Sequence, residues 1–242
     1  MFIHDPYYFS GGASTEVAKI NDKNVLIILK NGQTSIKKYC NENNHKIVAL
    51  RDDFYENKPY IVDVYFRDPV RRYLSALTTV KELNPKIYDH MPMLHTCDYF
   101  GIEKAIFVDP HTYPQYWWLV HAYIMSFSSD NLYFKFKDFT KIGELVGNTH
   151  ENQTRLKNQF DRRVKTDKPV YQSLNKNEMD AIDRRYYFDI KIHKNLIGKT
   201  LNYNDLMSCF AEWIDSEPQS SRKGYPRWSE FIKKHHPKNF KE

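Results

Sequence analysis

Two short apolar runs, each followed at once by a polar turn, constrain the fold of this chain more than any other feature. The run Val25–Leu29 leads into the segment Lys30–Ser35, and the run Tyr60–Phe66 leads into the segment Arg67–Ala76. Each pair is typical of a strand, a sharp turn and a helix start. A helix start presents unpaired N–H groups and a positive dipole end, so it suits phosphate or sulfate. Two such starts, each with a cation, indicate one ligand with two anionic groups.

The length and composition of the chain are those of a single globular domain. Its 242 residues are enough to bury one sizeable core, and its hydrophobic (41%) and charged (27%) fractions are ordinary for such proteins. No apolar run approaches the roughly 18–20 residues of a membrane span. We expect one domain over residues 1–242 without membrane contact, with an irregular segment at residues 1–22 and a polar, basic tail at residues 217–242.

The cysteines and the net charge indicate the setting and the kind of partner. Three scattered cysteines, Cys40, Cys97 and Cys209, are too few for a disulfide framework or a cysteine-rich zinc site, and the first residues lack the features of a signal peptide. We therefore expect a reducing, cytoplasmic setting. The net charge of +6 suits an anionic ligand, a polyanionic acceptor or nucleic acid.

Strand-like and helix-like apolar patterns alternate along the chain. The sequence predicts strands over Val25–Lys30, Ile47–Asp52, Tyr60–Phe66 and Leu132–Phe136. It predicts helices over Thr34–Asn43, Asp68–Glu82, Pro114–Phe127, Phe139–Val146, Asn177–Lys194 and Leu201–Ile214. This alternation favours an α/β fold, a three-layer α/β/α sandwich around a mainly parallel central sheet. Ligands bind such sheets at the carboxyl ends of strands, which is where both polar turns are expected.

The first polar turn combines a lysine, a glycine and two hydroxyl side chains. Gly32 lets the backbone approach an anion closely. The lysine is Lys30, and the amides that would point into the turn belong to Gln33, Thr34 and Ser35. The turn differs from the phosphate-binding loop of nucleoside triphosphatases, in which the lysine follows the last glycine. The alternative interpretation is an ordinary surface turn with a solvated lysine.

The second polar turn combines an arginine at the end of a strand with a serine about two helical turns later. Arg67 can fork onto a phosphate while Ser75 donates a hydrogen bond from the helix. The alternative is a local ion pair between Arg67 and Asp68. In that alternative Arg71 and Arg72 are solvated helix charges, and we favour this interpretation for Arg72. Because Arg67 leaves an apolar strand at the ligand end, we interpret it as a binding residue.

The two turns together resemble a known family. Lys30–Ser35 resembles the K-x-G-x-T-S loop that holds the 5′-phosphosulfate in sulfotransferases that use 3′-phosphoadenosine 5′-phosphosulfate (PAPS). Arg67–Ser75 resembles their 3′-phosphate motif, R-D-P-x-x-R-x-x-S, and the likeness is closest to the carbohydrate sulfotransferase branch. Asp109–Gln115 is similar to a His-x-x-Pro-Gln stretch of that branch. The resemblance implies a P-loop-like sulfotransferase fold and the cofactor-binding residues Lys30, Asn31, Gly32, Gln33, Thr34, Ser35, Arg67 and Ser75.

The resemblance also implies a mechanism. An acceptor hydroxyl or amine, on a carbohydrate or a small molecule, attacks the sulfuryl group in line, and 3′-phosphoadenosine 5′-phosphate (PAP) leaves. Lys30 and the loop amides would stabilise the charge on the bridging oxygen, as positioned donors do in phosphoryl transfer. Arg67 and Ser75 would hold the 3′-phosphate and so distinguish PAPS from plain adenylates. The family needs no metal.

A general base must take the proton of the acceptor, and three residues are candidates beside the catalytic Lys30. Asp53 follows the second predicted strand at the expected ligand end. His45 is similar to a histidine of some glycan sulfotransferases, although it begins a strand at the opposite end. His111 belongs to the segment that resembles His-x-x-Pro-Gln. The sequence does not choose between the three.

Two other functions fit parts of the sequence. A nucleotide-dependent phosphotransferase on a P-loop-like fold would use magnesium and a triphosphate, and the order of lysine and glycine in the first turn counts against it. A basic nucleic-acid-binding protein without catalysis would depend only on the net charge and the 15% aromatic content. Acceptor-binding loops are expected at Asn84–Thr112 and at residues 147–175, where no motif identifies an acceptor.

Overall fold

Strands and helices alternate in the part of the chain that the structure describes. The computed structural model describes residues 15–29, 31–73, 75–76, 114–147, 176, 180, 182–183 and 186–216. The strands are β1 Glu16–Ile20, β2 Lys23–Leu26, β3 Lys46–Ala49, β4 Tyr60–Phe66, β5 Leu132–Asp138 and β6 Thr200–Asn202. The helices are α1 Gln33–Glu42, α2 Leu50–Asp53, α3 Tyr116–Met125, α4 Ile142–Val146, α5 Tyr187–Asn195 and α6 Tyr203–Ser216, with a 3-10 turn at Phe139–Lys141. Residues 69–73 and 75–76 are also helical. The predicted mixed α/β class is confirmed.

The six strands form one open sheet with a parallel centre. Their order is β3-β1-β2-β4-β5-β6. Strand β4 pairs in parallel with β2 on one side and with β5 on the other. The pairs β1–β2, β1–β3 and β5–β6 are antiparallel. The prediction of a mainly parallel sheet is therefore confirmed for the three central strands and wrong for the outer ones.

Parallel pairing of β2 and β4 places both polar turns at one edge of the sheet. Asn24 and Val25 of β2 pair with Val62 and Asp63 of β4, so both strands run in the same direction. The first turn follows β2, and Arg67 follows β4. Their carboxyl ends therefore meet at the same edge, which we call the carboxyl edge; the opposite edge is the amino edge.

Apolar side chains cover both faces of the sheet. On one face, Val62, Val64 and Phe66 of β4 pack with residues of α3, α5 and α6. On the other face, Val25 and Tyr65 pack with residues of α1 and α4. Six of the seven residues of β4 are buried, and a strand buried on both faces is mostly apolar in sequence. In β4 only Asp63, whose carboxylate pairs with the Lys137 ammonium at 3.0 Å, interrupts the apolar residues. This is why the predicted bounds of β4 are confirmed to the residue.

Strand β1 lies within residues 1–22, which the sequence predicts to be irregular. It forms a hairpin with β2 through a turn in which Asn21 is left-handed, with φ of 45°. Asparagine is among the residues that adopt this conformation most readily. Strand β1 has only five residues, two of them charged, so no clear apolar pattern marks it. Pairing with β2 on one side and β3 on the other stabilises it.

Two predicted elements are divided differently in the structure. The predicted strand Ile47–Asp52 is shorter, and α2 directly follows β3. The amide of Leu50 donates a hydrogen bond to the carbonyl of Thr15 (2.9 Å), and the Leu50 side chain is fully buried. The predicted helix Leu201–Ile214 begins only at Tyr203, because β6 pairs with β5. Both corrections depend on partners that are distant in sequence.

The other predicted elements are confirmed where the structure describes them, although the bounds of one strand are wrong. The predicted helices overlap α1, α3 and α4, and the predicted fourth strand overlaps β5. The predicted strand Val25–Lys30 is wrong in its bounds, because β2 spans Lys23–Leu26 and Leu29 already lies in the turn. The predicted helix Asn177–Lys194 is confirmed in α5 and at residues 180 and 182–183. None of the helices in these described ranges is long and apolar enough to cross a membrane.

The imidazole of His121 in α3 gives the stability of the fold a predicted pH dependence. This side chain is 9% exposed, its Nδ1 contacts Oγ1 of Thr15, and burial lowers its pKa. Between pH 7 and 5 the unfolded chain takes up a proton that the folded chain resists, so the free energy of unfolding falls as the pH falls. We expect the urea midpoint of a His121→Gln variant to change less over this range than that of the wild type. His45→Gln is the control, and its urea midpoint should change with pH as much as that of the wild type. A midpoint of this control that changes as little as that of His121→Gln would contradict the assignment.

Candidate anion-binding site

The first turn links β2 to the start of α1. The structure describes Leu29, Asn31 and Gly32 in this turn, whereas Lys30 lies outside the described residues. Gly32 precedes α1 in the left-handed conformation, with φ of 76°, and no side chain of this capping residue bonds the helix start. Because glycine has no side chain, Gly32 does not cap the first amides of α1, which lie at the carboxyl edge. An anion site at a helix start requires amides that the capping residue leaves unbonded.

The hydroxyl residues of the first motif stand in the first turn of α1. Gln33 is its first residue and is half-buried, Thr34 is exposed, and Ser35 is half-buried. Gly32 leaves no room for a side chain, since a Cβ atom there would overlap Cδ1 of Ile142. The turn therefore packs directly against the start of α4, which holds the first amides of α1 in place.

The second turn links β4 to the helical residues 69–73. Oδ1 of Asp68 accepts a hydrogen bond from the amide of Arg71 at 2.8 Å, so Asp68 caps this helix start. The Arg67 guanidinium carbon lies 5.2 Å from the ring centroid of Phe139. Ser75 is half-buried and helical. Arg67 therefore lies at the carboxyl edge with its guanidinium over an aromatic ring.

Two buried amide side chains connect the two turns. Nδ2 of Asn31 donates to the carbonyl oxygen of Tyr65 at 2.8 Å and to Oε1 of Gln115 at 2.5 Å. Oε1 of Gln115 also accepts from the amide of Arg67 at 2.9 Å, and Nε2 donates to the Arg67 carbonyl at 2.8 Å. Asn31 is 2% exposed and Gln115 is fully buried. The structure therefore brings the first and second motifs together through their backbones.

Arg72 lies beneath the first turn and not in solvent. Its side chain is fully buried, and its Nε and Nη2 atoms donate to the carbonyl oxygen of Leu29 at 3.2 and 3.1 Å. Its guanidinium carbon also lies 5.5 Å from the ring centroid of Trp118. The interpretation of Arg72 as a solvated charge is therefore wrong, because this side chain holds the residue that precedes Lys30.

Asp189 of α5 supplies a buried carboxylate to the same region. Its Oδ2 accepts from the amide of Gln115 at 2.6 Å and its Oδ1 from the amide of Tyr116 at 2.9 Å. Burial raises the pKa of Asp189 to about 6, while these amides and the charge of Arg72 act in the opposite direction. Asp189 therefore caps the start of α3 and places a negative charge within the field of Arg72.

The structure separates two of the candidate bases from this site. Asp53 contacts the hydroxyl of Tyr60 and the ammonium of Lys19. Tyr60 begins β4, so this contact holds the Asp53 carboxylate toward the amino edge. The expectation that Asp53 stands at the ligand end is corrected, because α2 turns the chain back toward the amino edge. His45 stacks on Tyr39, with ring centroids 5.5 Å apart, and precedes β3, also at the amino edge.

The third candidate base, His111, lies outside the described residues, and its role stays a prediction. Sequence reasoning missed the contributions of three residues to the site: Arg72, Gln115 and Asp189. The available signal for Asp189 is an acidic residue next to the apolar positions of its helix, between Phe188 and Ile190. Gln115 ends the segment that resembles His-x-x-Pro-Gln, but that resemblance does not indicate its role, since its partners lie far along the chain.

Comparison of the chain with models of known protein families, with curated proteins and with solved structures found no match. Within the described ranges, no three histidine, cysteine, aspartate or glutamate side chains come together as a metal site. The argument for a function therefore depends on the two turns and on the residues that hold them.

We expect Arg72→Ala to lower the free energy of unfolding by about 2–5 kcal/mol, because it removes a large, fully buried side chain and both of its bonds to the Leu29 carbonyl. The measurement is urea denaturation at pH 7, followed by circular dichroism. Arg71→Ala removes an exposed arginine one residue away and is expected to change stability by at most about 0.5 kcal/mol. Equal losses in the two variants would contradict the buried role of Arg72.

Proposed function

We propose that this protein is a sulfotransferase that moves the sulfuryl group of PAPS to a hydroxyl or amine of a carbohydrate or small-molecule acceptor. One observation carries the proposal: parallel pairing of β2 with β4 sets the two motif-bearing turns side by side. The sulfotransferase resemblance assigns these turns to the 5′ and 3′ ends of one donor. The open α/β sheet with helices on both faces is consistent with the P-loop-like sulfotransferase fold that the resemblance implies.

The first turn binds the reacting end of the donor. The start of α1 offers amide N–H groups and the positive end of the helix dipole, and Lys30 adds a full positive charge. Charge grows on the oxygen that links sulfur to the 5′-phosphate as that bond breaks. Donors that are already in place stabilise this charge without reorganisation. The packing of Gly32 against Ile142 keeps them there.

The second turn binds the 3′-phosphate. A guanidinium that lies over an aromatic ring has lost much of its conformational freedom before the ligand arrives, as Arg67 has over Phe139. Its planar fork then meets two phosphate oxygens, and Ser75 adds a hydroxyl donor from the following helix. This site gives PAPS an advantage over adenylates that lack the 3′-phosphate.

The transfer itself is an in-line displacement at sulfur. The acceptor oxygen or nitrogen forms a bond to sulfur, the bond from sulfur to the 5′-phosphate oxygen breaks, and PAP leaves with the electron pair. The acceptor proton passes to a general base. Asp53 and His45 lie at the amino edge, so we propose His111 for this role.

Binding of PAP is the direct test of the proposal. At a concentration 100 times its Kd, PAP is expected to stabilise the protein by about 2.7 kcal/mol and to raise the melting temperature accordingly. Lys30→Ala and Arg67→Ala should each abolish most of this increase. AMP should bind the wild type more weakly than PAP, and Arg67→Ala should remove that difference, because the variant lacks the charge that meets the 3′-phosphate.

Arg71→Ala is the matched control for this experiment, since Arg71 is an exposed arginine on the same helix. It should leave the increase in melting temperature unchanged. No increase at millimolar PAP, or a larger increase with ATP and magnesium than with PAP, would refute the proposal. Transfer of labelled sulfate from PAPS to a panel of acceptors then identifies the substrate class.

Gly32→Ala should weaken PAP binding by about tenfold or more, because the added methyl displaces the turn from Ile142 and strains a left-handed backbone. The matched control is Gly198→Ala, which also has positive φ, of 89°, but meets nothing within 4 Å. Titration calorimetry measures both affinities. Comparable weakening in the two variants would mean that contact with Ile142 does not position the turn.

A further inference from the structure

We propose that Gln115 is a positioning residue that sets the separation between the 5′ and 3′ anion sites, so that the protein selects a ligand with both groups. This inference rests on the proposed function and adds to it a residue outside both motifs. Gln115 contacts no ligand in this mechanism. It acts through the backbone of the two turns.

The amide of Gln115 binds Arg67 in the manner of a neighbouring strand. Oε1 accepts from the Arg67 N–H at 2.9 Å, and Nε2 donates to the Arg67 carbonyl at 2.8 Å. These two bonds continue the pairing beyond the last residue of β4, where the helix start would otherwise leave the backbone to solvent. The position of the Arg67 main chain is therefore set by a side chain from the start of α3.

The same Gln115 oxygen also binds the first turn. Oε1 accepts from Nδ2 of Asn31 at 2.5 Å, and Asn31 uses its second amide hydrogen for the carbonyl of Tyr65 at 2.8 Å. One carbonyl oxygen thus receives a donor from each turn. Any movement of one turn away from the other breaks a buried hydrogen bond and leaves a buried polar group without its partner.

Gln115 is itself held by the surrounding fold. Its backbone amide donates to Oδ2 of Asp189 at 2.6 Å, and its side chain is fully buried. Arg72, whose charge acts on Asp189, also binds the Leu29 carbonyl. The charge of Arg72 therefore acts on the carboxylate that holds Gln115, while its donors hold the first turn.

Only a side chain with both a donor and an acceptor at this length can replace this glutamine. Methionine matches its length but neither donates nor accepts strongly. An ionised glutamate would face the Arg67 carbonyl without a donor, whereas a protonated glutamate regains one O–H. Burial favours the protonated form of a carboxyl. The Gln115→Glu variant should therefore regain bisphosphate binding, relative to wild type at the same pH, as the pH is lowered toward 5.

The test separates the coupling of the two sites from the strength of either one. Titration calorimetry measures four ligands, adenosine, 5′-AMP, 3′-AMP and PAP, which form a thermodynamic cycle. In the wild type, PAP should bind more tightly than the two single phosphates predict together. Gln115→Met should reduce that excess by about tenfold, while affinity for each monophosphate changes less than about threefold.

Asn131→Leu is the matched control, because Asn131 also donates an amide bond to backbone, to the carbonyl of Glu56, at the amino edge. It should leave the excess unchanged. An excess that survives in Gln115→Met, or that falls equally in the control, overturns the proposal. A merely structural effect would weaken all four ligands alike, and this result also overturns it.

Hydrogen exchange of the ligand-free protein is measured in parallel, so that failure of the proposed function is recognised separately. Gln115→Met should reduce protection in residues 31–33 and 65–68, and Asn131→Leu should not. If the wild type binds none of the four ligands, the proposed function is refuted, and exchange alone decides whether Gln115 holds the turns together. Unchanged exchange in both segments overturns that claim as well.

Discussion

A positive charge that is fully enclosed in protein, that of Arg72, is the feature on which the carboxyl edge of the sheet depends. Its donors satisfy the Leu29 carbonyl, its planar group lies over Trp118, and the Asp189 carboxylate contributes an opposing charge. An enclosed charge is costly unless its partners stay in place, with a penalty of several kcal/mol when one is lost. A single side chain therefore contacts both the loop before Lys30 and helix α3, and its charge acts on a carboxylate of α5.

The network assembles only when the whole sheet has formed, because its members come from distant parts of the chain. Leu29 and Arg72 are separated by 43 residues, Arg67 and Gln115 by 48, and Gln115 and Asp189 by 74. The first of these pairs spans β4 and the third spans β5. The two turns therefore gain their relative position from the same tertiary packing that stabilises the domain.

This separation also decides what could be predicted from the sequence. Strand β4 is marked by its own residues, since burial on both faces requires mostly apolar side chains. The two turns are equally local. Strand β1 and the end of β3 at Ala49 depend on pairing with strands elsewhere in the chain, and the position of Asp53 depends on the reversal of the chain in α2. A short stretch of sequence does not contain this information. In sequence, Arg72 resembles a surface charge, because its partner is the main-chain carbonyl of Leu29 and every residue has such a carbonyl.

Most bonds of the network hold the main chain of the two turns in place before any ligand binds. Gln115 binds Arg67 only through its N–H and carbonyl, and Arg72 binds Leu29 only through its carbonyl. The main-chain positions of Arg67 and Leu29 are thus held by bonds that do not involve their own side chains, while the Asn31 side chain joins the first turn to Gln115. A ligand that binds there orders little backbone, so more of its contact energy appears as affinity. Rigidity of this kind favours a donor of fixed shape, whose two anionic groups match a separation that exists before it binds.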